Sequence, residues 1–416
     1  MHCAPLPRGV RVSASNLQQR HRTGRVWLVV FQVALLMGIV ALTALLFNIL
    51  NGSFGYVAIE DTIAPQDLAV NGVPLEEQDK DTLIQVLQAH ISAGLFARYE
   101  FDKPFAERSA GEVYDLILER VVEPKFVAQW SLYETLTNRD AIRQTAAQEF
   151  PNARLEFRSW LNSHFLRAPQ SSYPEIAGVR TAVLGSLWTI GIAVLFAFPV
   201  GVAAAVYLQE YAPDNLINRI IQTNITNLAG VPSIIYGILG LAIFVRALGH
   251  FTSGVAFGAS DPTTSNGRTI LSAGLTLGML VLPLIIINAQ EAIKAVPSSL
   301  RQASFGLGAT RWETVWHHVL PNAISGIMTG TILAISRAIG ETAPLVVIGA
   351  STFIQVDPEG PFSNFTTLPI QIYQWTARPQ SVFRNLAGGA SLVLLGLLLT
   401  LNATAIILRN RYRRSL

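Results

Sequence analysis

The sequence has little charge and almost no cysteine. Cys3 is the only cysteine among 416 residues, so no internal disulfide is possible. Asp, Glu, Lys and Arg together make up 14% of the chain, whereas a soluble domain carries about 25%. Hydrophobic residues account for 50%, and the mean hydropathy is +0.39. This composition argues against a soluble enzyme and favours a membrane protein.

Lysine is also scarce, which limits the chemistry that the chain can perform. The lysines are Lys80, Lys103, Lys125 and Lys294, and none completes the G-x-x-x-x-G-K-[ST] pattern of a phosphate-binding loop. The hydrolase patterns H-E-x-x-H and G-x-S-x-G are absent as well. We therefore expect no catalysis and no metal or cofactor site in this chain, and any ATP hydrolysis must occur on a separate chain. The net charge of +3, with arginines at the chain ends, does not favour nucleic acid as a partner.

Long apolar stretches dominate the rest of the sequence. A helix that spans a bilayer needs about 20 apolar residues, and it must be a helix because lipid cannot satisfy backbone polar groups. Six stretches meet this description: 26–50, 182–208, 217–245, 270–288, 322–349 and 386–408. The first could instead be a cleaved signal peptide, but a signal peptide has an apolar region of only about 7–15 residues. The sequence thus predicts an all-α polytopic membrane protein with six transmembrane helices.

Arginines flank the first and the last of these stretches. They are Arg8, Arg11, Arg20, Arg22 and Arg25 before the first, and Arg409, Arg411, Arg413 and Arg414 after the last. Since Lys and Arg are enriched in cytoplasmic flanks, we expect the tails 1–25 and 409–416 to be cytoplasmic. An even number of spans agrees with this orientation. The loop 289–321 is then cytoplasmic too.

The segment 51–180, between the first two spans, is expected outside the cytoplasm. It contains 19 acidic and 12 basic residues, a net charge of −7. Its length predicts a folded unit, and apolar residues recur at helical spacing from Leu83 to Leu95. Capping-box patterns at Ser109 and Ser131 also predict helices, and a further helix is predicted over residues 155–165. This helical insert either shields the mouth of a path or provides a docking platform, and the residues do not decide between these roles.

The fifth stretch carries charge inside an apolar segment. Gly326, Gly330 and Ala334 form a stripe of small residues that lets two helices pack closely. Arg337 and Glu341 follow, four residues apart and near the middle of the predicted span. An unpaired arginine there costs roughly 2.5–3.5 kcal/mol on insertion scales. The two residues therefore form either a structural ion pair or a site in which Arg337 lines an anion path. The planar guanidinium can donate two hydrogen bonds to a tetrahedral oxyanion.

The third stretch contains Gly230-Val231-Pro232 at its centre, flanked by Asn227 and Ser233. Pro removes a backbone donor and Gly tolerates unusual backbone angles, so a break in the helix is expected. Transporters often place such breaks at the substrate. A kink that serves only packing is about equally compatible with the sequence.

The loop 289–321 resembles the cytoplasmic loop of permeases of binding-protein-dependent ABC importers. Their pattern is E-A-A, three residues, Gly, and later Leu-Pro. Here Gln302-Ala303-Ser304 stands at the E-A-A position, followed by Gly308 and by Leu320-Pro321. The first Ala and the Gly match, whereas the Glu and the second Ala do not. Pro297-Ser298-Ser299 is expected to open a short helix over residues 300–307.

Other stretches are similar to the phosphate-specific members of this family, in particular to the second of their two paralogous permease subunits. They are Arg337 to Pro344, Ser325 to Gly330, Val231 to Ile234, Tyr207 to Tyr211 and Leu368 to Ile370. The resemblance covers about residues 180–408, which corresponds to the predicted permease core 181–408, and leaves the insert outside.

This resemblance implies a permease subunit of the type I ABC importer kind in a bacterial inner membrane. A paralogous permease would pair with it, an extracytoplasmic binding protein would deliver inorganic phosphate, and two ATPase subunits would bind ATP. Arg337, Glu341, Asn227 and Ser233 would line the translocation path. The movement of the ATPase would be transmitted to the permease through Gln302, Ala303, Ser304 and Gly308. Two alternatives are a permease for sulfate or molybdate and a membrane-bound sensor that acts through its outer segment.

Overall fold

A computed structural model describes the chain from residue 14 to residue 411 with four short gaps. The described ranges are 14–70, 72–258, 266–350, 353–354 and 356–411, and side chains are described in them except at residues 14–18 and 102. Outside these ranges lie Cys3 and the flanking arginines Arg8, Arg11, Arg413 and Arg414.

The first helix, α1, spans Ala14–Ser53 without interruption and contains the whole first apolar stretch. At about 1.5 Å per residue its 40 residues extend about 60 Å. Its most apolar window is not buried against the rest of the chain. An apolar helix surface of this kind fits a lipid environment rather than water.

Residues 54–179 fold into a unit that we call the insert domain. Its centre is an antiparallel sheet of β1 (Phe54–Glu60), β2 (Lys125–Gln129) and β3 (Arg154–Ser159), in the order β2-β1-β3. The sheet corrects the expectation of a purely helical insert, and the predicted helix over 155–165 is wrong. β1 follows α1 without a connecting loop, so its apolar residues could not be distinguished in the sequence from the end of the first span. In β3 only Leu155 and Phe157 alternate with charged residues, a period-2 signal too short to stand out.

Six α-helices accompany the sheet in the described part of residues 54–179. They are α2 (Lys80–His90), α3 (Ala93–Asp102), α4 (Ala110–Ile117), α5 (Leu132–Thr137), α6 (Arg139–Glu149) and α7 (Ser163–Arg167). The capping boxes at Ser109 and Ser131 form as the sequence predicts, each with the glutamate three residues later. Residues 62–122 leave the sheet and return to it, since the Thr62 N–H donates to the Val122 carbonyl at 2.8 Å. This lobe has its own core, which includes Leu87, Val113 and Ile117.

The described residues from 180 onward are mostly helical. The helices are α8 (Arg180–Val206), α9 (Leu216–Ala229), α10 (Ser233–Gly240), α11 (Gly249–Thr252), α12 (Ile270–Lys294), α13 (Ser298–Gly306), α14 (Arg311–Thr314), α15 (Leu320–Ile339), α16 (Ala343–Ile348), α17 (Leu368–Ala377) and α18 (Val382–Arg411). Wider π-helical turns extend α8 over Tyr207–Tyr211 and α10 over Leu241–Ala247, and another, Val315–Val319, joins α14 to α15.

Among the described residues, five helices are long and apolar enough to cross a bilayer. They are Gln19–Ser53, Arg180–Tyr211, Ile270–Lys294, Arg311–Ile339 and Val382–Arg411. The remaining predicted span is a pair of helices, Leu216–Ala229 and Ser233–Ala247, bent by 107° at the Gly-Val-Pro sequence. An all-α polytopic membrane architecture is thereby confirmed.

The fifth span ends earlier than the apolar pattern suggests. α15 stops at Ile339, Gly340 follows as its C-cap, and Pro344 lies in the first turn of the separate helix α16. Arg337 therefore lies in the last turn of α15, which corrects its expected position near the middle of a span. Glu341 lies in the connection after the helix. The apolar sequence of α16 had extended the predicted span beyond the true break.

The insert domain and the membrane helices share one core. Trp160 and Phe165 of the insert pack with Trp375, Phe383 and Leu386, which belong to α17 and α18. All five side chains are at most 2% exposed. Burial of aromatic side chains is the main stabilising contribution at such a junction. The insert is therefore fixed to the membrane helices by packing as well as by the chain connection.

Candidate functional site

Arg337 and Glu341 form an ion pair at the end of α15. The Arg337 Nε and Glu341 Oε1 atoms are 3.3 Å apart, and the two side chains are 45% and 17% exposed. Because Gly340 ends the helix, Glu341 reaches Arg337 from a connecting loop rather than from the same helical face. The pair thus combines a restrained carboxylate with a guanidinium that has an open side.

The bend between α9 and α10 lies beside this pair. Val231, at the bend, packs in one cluster with Ala334 and Ala338 of α15. The Tyr236 hydroxyl donates to the Leu228 carbonyl across the bend at 2.8 Å, and the same carbonyl accepts from the Val231 N–H at 3.1 Å. The end of α15 and the bend therefore meet in one place.

Helix α16 completes this arrangement from the other side. A Cβ atom built on Gly237 would lie 2.7 Å from Cα and 2.9 Å from the carbonyl oxygen of Pro344. Only glycine permits α10 and α16 to approach so closely. The start of α16 at Pro344 thus packs on α10 at Gly237, five residues after the break at Pro232.

Asn227 and Ser233, the two other predicted path residues, flank the bend. Asn227 is exposed, and its carbonyl accepts a hydrogen bond from the Gly230 N–H at 3.0 Å. Ser233 is half-buried in the first turn of α10. Within the described residues, neither side chain is hydrogen-bonded to Arg337 or Glu341. The bend brings the four predicted residues to one region without direct contact between these two and the ion pair.

The stripe of small residues on α15 faces α12. A Cβ on Gly326 would lie 2.7 Å from Ala292 Cβ, and one on Gly330 would lie 2.3 Å from Asn288 Cβ. Ala334 is 2% exposed and packs in the cluster that includes Leu280, Val281 and Ile285 of α12. These residues set the distance between the helix that carries Arg337 and its central neighbour.

The loop predicted to receive an ATPase contains the short helix α13. Pro297 is its N-cap, and Gly308 follows it with φ +85°, a left-handed backbone conformation that favours glycine. Gln302 and Ala303 are exposed. Ser304 differs from these two, since its hydroxyl is buried against the Thr314 hydroxyl at 2.8 Å and joins α13 to α14.

Exposed apolar side chains surround α13. Leu307 is 91% exposed, Phe305 is 45% exposed, and Trp312 and Trp316 stack with ring centroids 5.5 Å apart while remaining more than half exposed. Large exposed apolar side chains grouped in this way mark an interaction surface. We call these four residues the α13 apolar surface.

Two polar contacts of this region were not predicted. Arg301 of α13 binds Glu210, at 2.8 Å between Nη2 and Oε1, and Gln222 of α9 exchanges two side-chain hydrogen bonds with Gln290 of α12, at 3.0 and 2.8 Å. The partners are 91 and 68 residues apart in the chain. Glu210 belongs to the Tyr207 to Tyr211 stretch noted above, but nothing in the local pattern identifies its partner.

Comparison with known proteins identifies the family of this chain. Residues 197–415 match the family described as "Binding-protein-dependent transport system inner membrane component". The chain belongs to this family. It is accordingly a membrane component of a transport system and lies in the inner membrane, with several spanning helices.

Curated relatives have more specific names. The chain is 34% identical over 233 residues to "Phosphate transport system permease protein PstA 1" of Mycobacterium tuberculosis (strain CDC 1551 / Oshkosh), which covers 56% of this chain and 70% of the relative. It is 31% identical over 261 residues to "Probable ABC transporter permease protein YqgI" of Bacillus subtilis, with 59% and 83% covered. It is 33% identical over 258 residues to "Phosphate transport system permease protein PstC" of Haemophilus influenzae, with 57% and 76% covered.

Solved structures with a similar chain path include ABC importers. A chain of the inward-facing MetNI methionine ABC transporter aligns with a TM-score of 0.41 at 16% identity, covering 55% of this chain and 94% of that one. A chain of a bacterial alginate ABC transporter in complex with its alginate-bound periplasmic protein aligns with a TM-score of 0.40 at 15% identity, covering 68% and 93%.

Proposed function

We propose that this protein is a permease subunit of an ATP-driven phosphate importer and that Arg337 and Glu341 lie on its translocation path. The observation that carries the proposal is the half-exposed Arg337 guanidinium, paired with Glu341 at the end of α15, where Ala334 and Ala338 pack in one cluster with Val231 of the bend. The phosphate permease names of relatives about one-third identical support the choice of substrate.

The ion pair suits the transient binding of an anion. An arginine without a counter-ion in an apolar segment is costly, so Glu341 stabilises the empty state. An arriving phosphate replaces part of that interaction because guanidinium binds an oxyanion through two parallel hydrogen bonds. Since the carboxylate remains nearby, it repels the bound anion and favours its release. Binding that is neither too weak nor too strong is what a transport path requires.

The open side of Arg337 supports pairing with a second permease subunit. In this chain alone the side chain is 45% exposed, although it lies in the last turn of an apolar helix. A paralogous subunit that contributes the opposite wall would enclose it. We propose that Asn227 and Ser233, at the bend, face the same enclosed path.

The other partners follow from the remaining surfaces. We propose that an ATPase docks on α13 and the α13 apolar surface, with Gln302, Ala303 and Gly308 at the contact. This places α13 and both chain termini in the cytoplasm and the insert domain on the opposite side, where an extracytoplasmic binding protein delivers phosphate. The chain itself binds no ATP or metal in this proposal.

The test is phosphate uptake by cells that lack other phosphate importers. Because a hydrogen bond to a charged group contributes about 1.5–3 kcal/mol, we expect Arg337→Gln to lower uptake about 10- to 100-fold. Glu341→Gln should reduce the maximal rate while the apparent KM stays equal or falls, since phosphate is then held without an opposing charge. The control is Arg219→Gln. It removes an exposed arginine of α9 that is paired with Asp214, which precedes the helix. Normal uptake by both Arg337→Gln and Glu341→Gln would remove the pair from the path.

Competition separates phosphate from other oxyanions. Excess sulfate or molybdate should leave uptake of labelled phosphate unchanged, whereas strong inhibition by either would redirect the substrate assignment. Purification of the chain with a separate ATPase tests the energy source.

A further inference from the structure

Arg301 joins α13 to the ends of two membrane helices. Its Nε and Nη2 atoms donate to Glu210 Oε1 at 3.1 and 2.8 Å. Its Nη1 atom donates to the Val296 carbonyl at 2.7 Å, and Nη2 donates again to the Ile293 carbonyl at 2.9 Å. Four of the five guanidinium N–H groups are therefore engaged.

These contacts link three segments that are otherwise separate. Glu210 lies in the π-helical turn that ends α8. Ile293 lies in the last turn of α12, and Val296 follows that helix. The Arg301 and Glu210 side chains are only 18% and 12% exposed, so water competes weakly for the ion pair. Helix α13 cannot move relative to the ends of α8 and α12 without breaking several part-buried charge-assisted hydrogen bonds.

The linkage continues toward the charged pair. α12 is in close contact with α15 at Gly326 and Gly330, where added Cβ atoms would overlap Ala292 and Asn288 of α12. α15 carries Arg337 in its last turn. A displacement of α13 is thus passed to α12 through Arg301, and from α12 to α15 through closely packed backbones that transmit strain.

We propose that Arg301 and Glu210 are positioning residues that couple the movement of α13 to the membrane helices, and thereby ATP hydrolysis to transport. This inference rests on the proposed function for the identity of the coupled reaction. Arg301 does not contact substrate in this proposal. Its role is to make α13, α8 and α12 move as one body.

A nearby ion pair supplies a matched control. Arg219 also donates through Nε and Nη2, to the two carboxylate oxygens of Asp214 at 2.9 and 3.1 Å. They are 70% and 79% exposed, and both belong to one short stretch of chain that includes the start of α9. Asp214 is four residues from Glu210 in sequence. Loss of the Asp214 charge therefore removes a comparable pair that joins no separate helices.

The experiment measures coupling in the purified complex of this chain with its partner permease and ATPase, reconstituted in liposomes with the binding protein. Phosphate imported per ATP hydrolysed is determined for the wild type, Glu210→Gln, Arg301→Lys and Asp214→Asn. Glu210→Gln removes one charge of a largely buried pair, which shifts an equilibrium at least tenfold. Arg301→Lys keeps the charge but loses the planar guanidinium that reaches Glu210 and two carbonyls together. We expect the phosphate imported per ATP to fall about tenfold in both variants. The bound ATPase and its basal hydrolysis should be retained, and Asp214→Asn should match the wild type.

A second measurement detects the rigid connection directly. In a Cys3→Ser background, spin labels are placed at Leu187→Cys on α8 and Leu307→Cys after α13, which are 40% and 91% exposed. The distance distribution between the labels in the full chain in nanodiscs should be narrow, and it should broaden in Glu210→Gln and in Arg301→Lys but not in Asp214→Asn.

The outcomes separate the two proposals. Unchanged transport per ATP, or an unchanged distance distribution, in Glu210→Gln and Arg301→Lys would overturn the positioning role. Loss of the ATPase from these variants in proportion to the loss of uptake would also overturn it, because Arg301 would then serve docking. A wild-type complex that hydrolyses ATP without importing phosphate would contradict the proposed function, while the distance distribution would still decide the role of Arg301.

Discussion

The close approach of α15 and α12 makes Gly330→Ala an informative substitution. The added Cβ would lie 2.3 Å from Asn288 Cβ and 2.8 Å from Asn288 Cγ, whereas non-bonded carbons rest about 3.5–4.0 Å apart. Asn288 Cβ is fixed to the backbone of α12, so a rotamer change cannot relieve the overlap. The helices must separate by more than about 1 Å, and overpacking of this kind costs about 1–3 kcal/mol.

Two other glycines calibrate this cost. Gly326→Ala places its Cβ 2.7 Å from Ala292 Cβ and should destabilise less. Gly191→Ala on α8 meets nothing within 4 Å, and because alanine favours a helix more than glycine does, it should be neutral or stabilising.

The assay is the thermal unfolding midpoint of the purified full chain in detergent. At about 2 °C per kcal/mol for a chain of this size, Gly330→Ala should lower the midpoint by about 2–6 °C. The expected order of destabilisation is Gly330→Ala, then Gly326→Ala, then Gly191→Ala. Equal midpoints for Gly330→Ala and Gly191→Ala would refute the argument that contact with α12 decides the effect.

Three further predictions concern the insert domain, each measured by thermal unfolding. Burial raises the pKa of Glu175 to about 7, so the folded state favours the neutral acid, and stability should fall as the pH rises from about 4.5 toward 7. Glu175→Gln should remove this part of the pH dependence. A variant whose stability depends on pH in the same way as that of the wild type would contradict the argument. The Arg158 guanidinium lies 5.1 Å from the ring centroids of both Phe126 and Trp160, so Arg158→Ala should cost about 1–2 kcal/mol, and a wild-type midpoint would argue against these contacts. Ser131→Ala removes the capping box of α5 and should cost about 1 kcal/mol, while Ser172→Ala, an exposed serine in a loop, serves as its control.

The lobe of residues 62–122 permits a cleaner test of the sensor alternative than removal of the whole insert. Its ends meet at the hydrogen bond between Thr62 and Val122, and its core is separate from the one shared with α17 and α18. Replacement of the lobe by Asn-Gly, a sequence that favours tight hairpin turns, should leave phosphate uptake intact if the chain is a permease. Loss of uptake with normal membrane expression would point to a role for the lobe itself.

Local features of the sequence were sufficient for much of the architecture. Length and apolar content predicted the membrane helices, because a segment in lipid must satisfy its backbone hydrogen bonds internally and a helix does so. Gly230 and Pro232 located the bend because their backbone restrictions act within one or two residues. Pro297 and Gly308 delimited α13 for the same reason, and the capping boxes of the insert formed where their spacing placed them.

Other features depended on residues far apart in the chain, and only the tertiary structure decided them. The strands of the insert form because β1 pairs with β2 and β3, about 70 and 100 residues away in sequence, whereas each strand alone is a weak signal. Arg301 selects Glu210 among several carboxylates because the ends of α8 and α12 converge. The packing of α16 against α10, at Pro344 and Gly237, likewise joins residues that are far apart in the chain. Sequence determined which segments enter the membrane, since that follows from local free energy of transfer, and the tertiary structure determined which charges meet, since that depends on long-range packing.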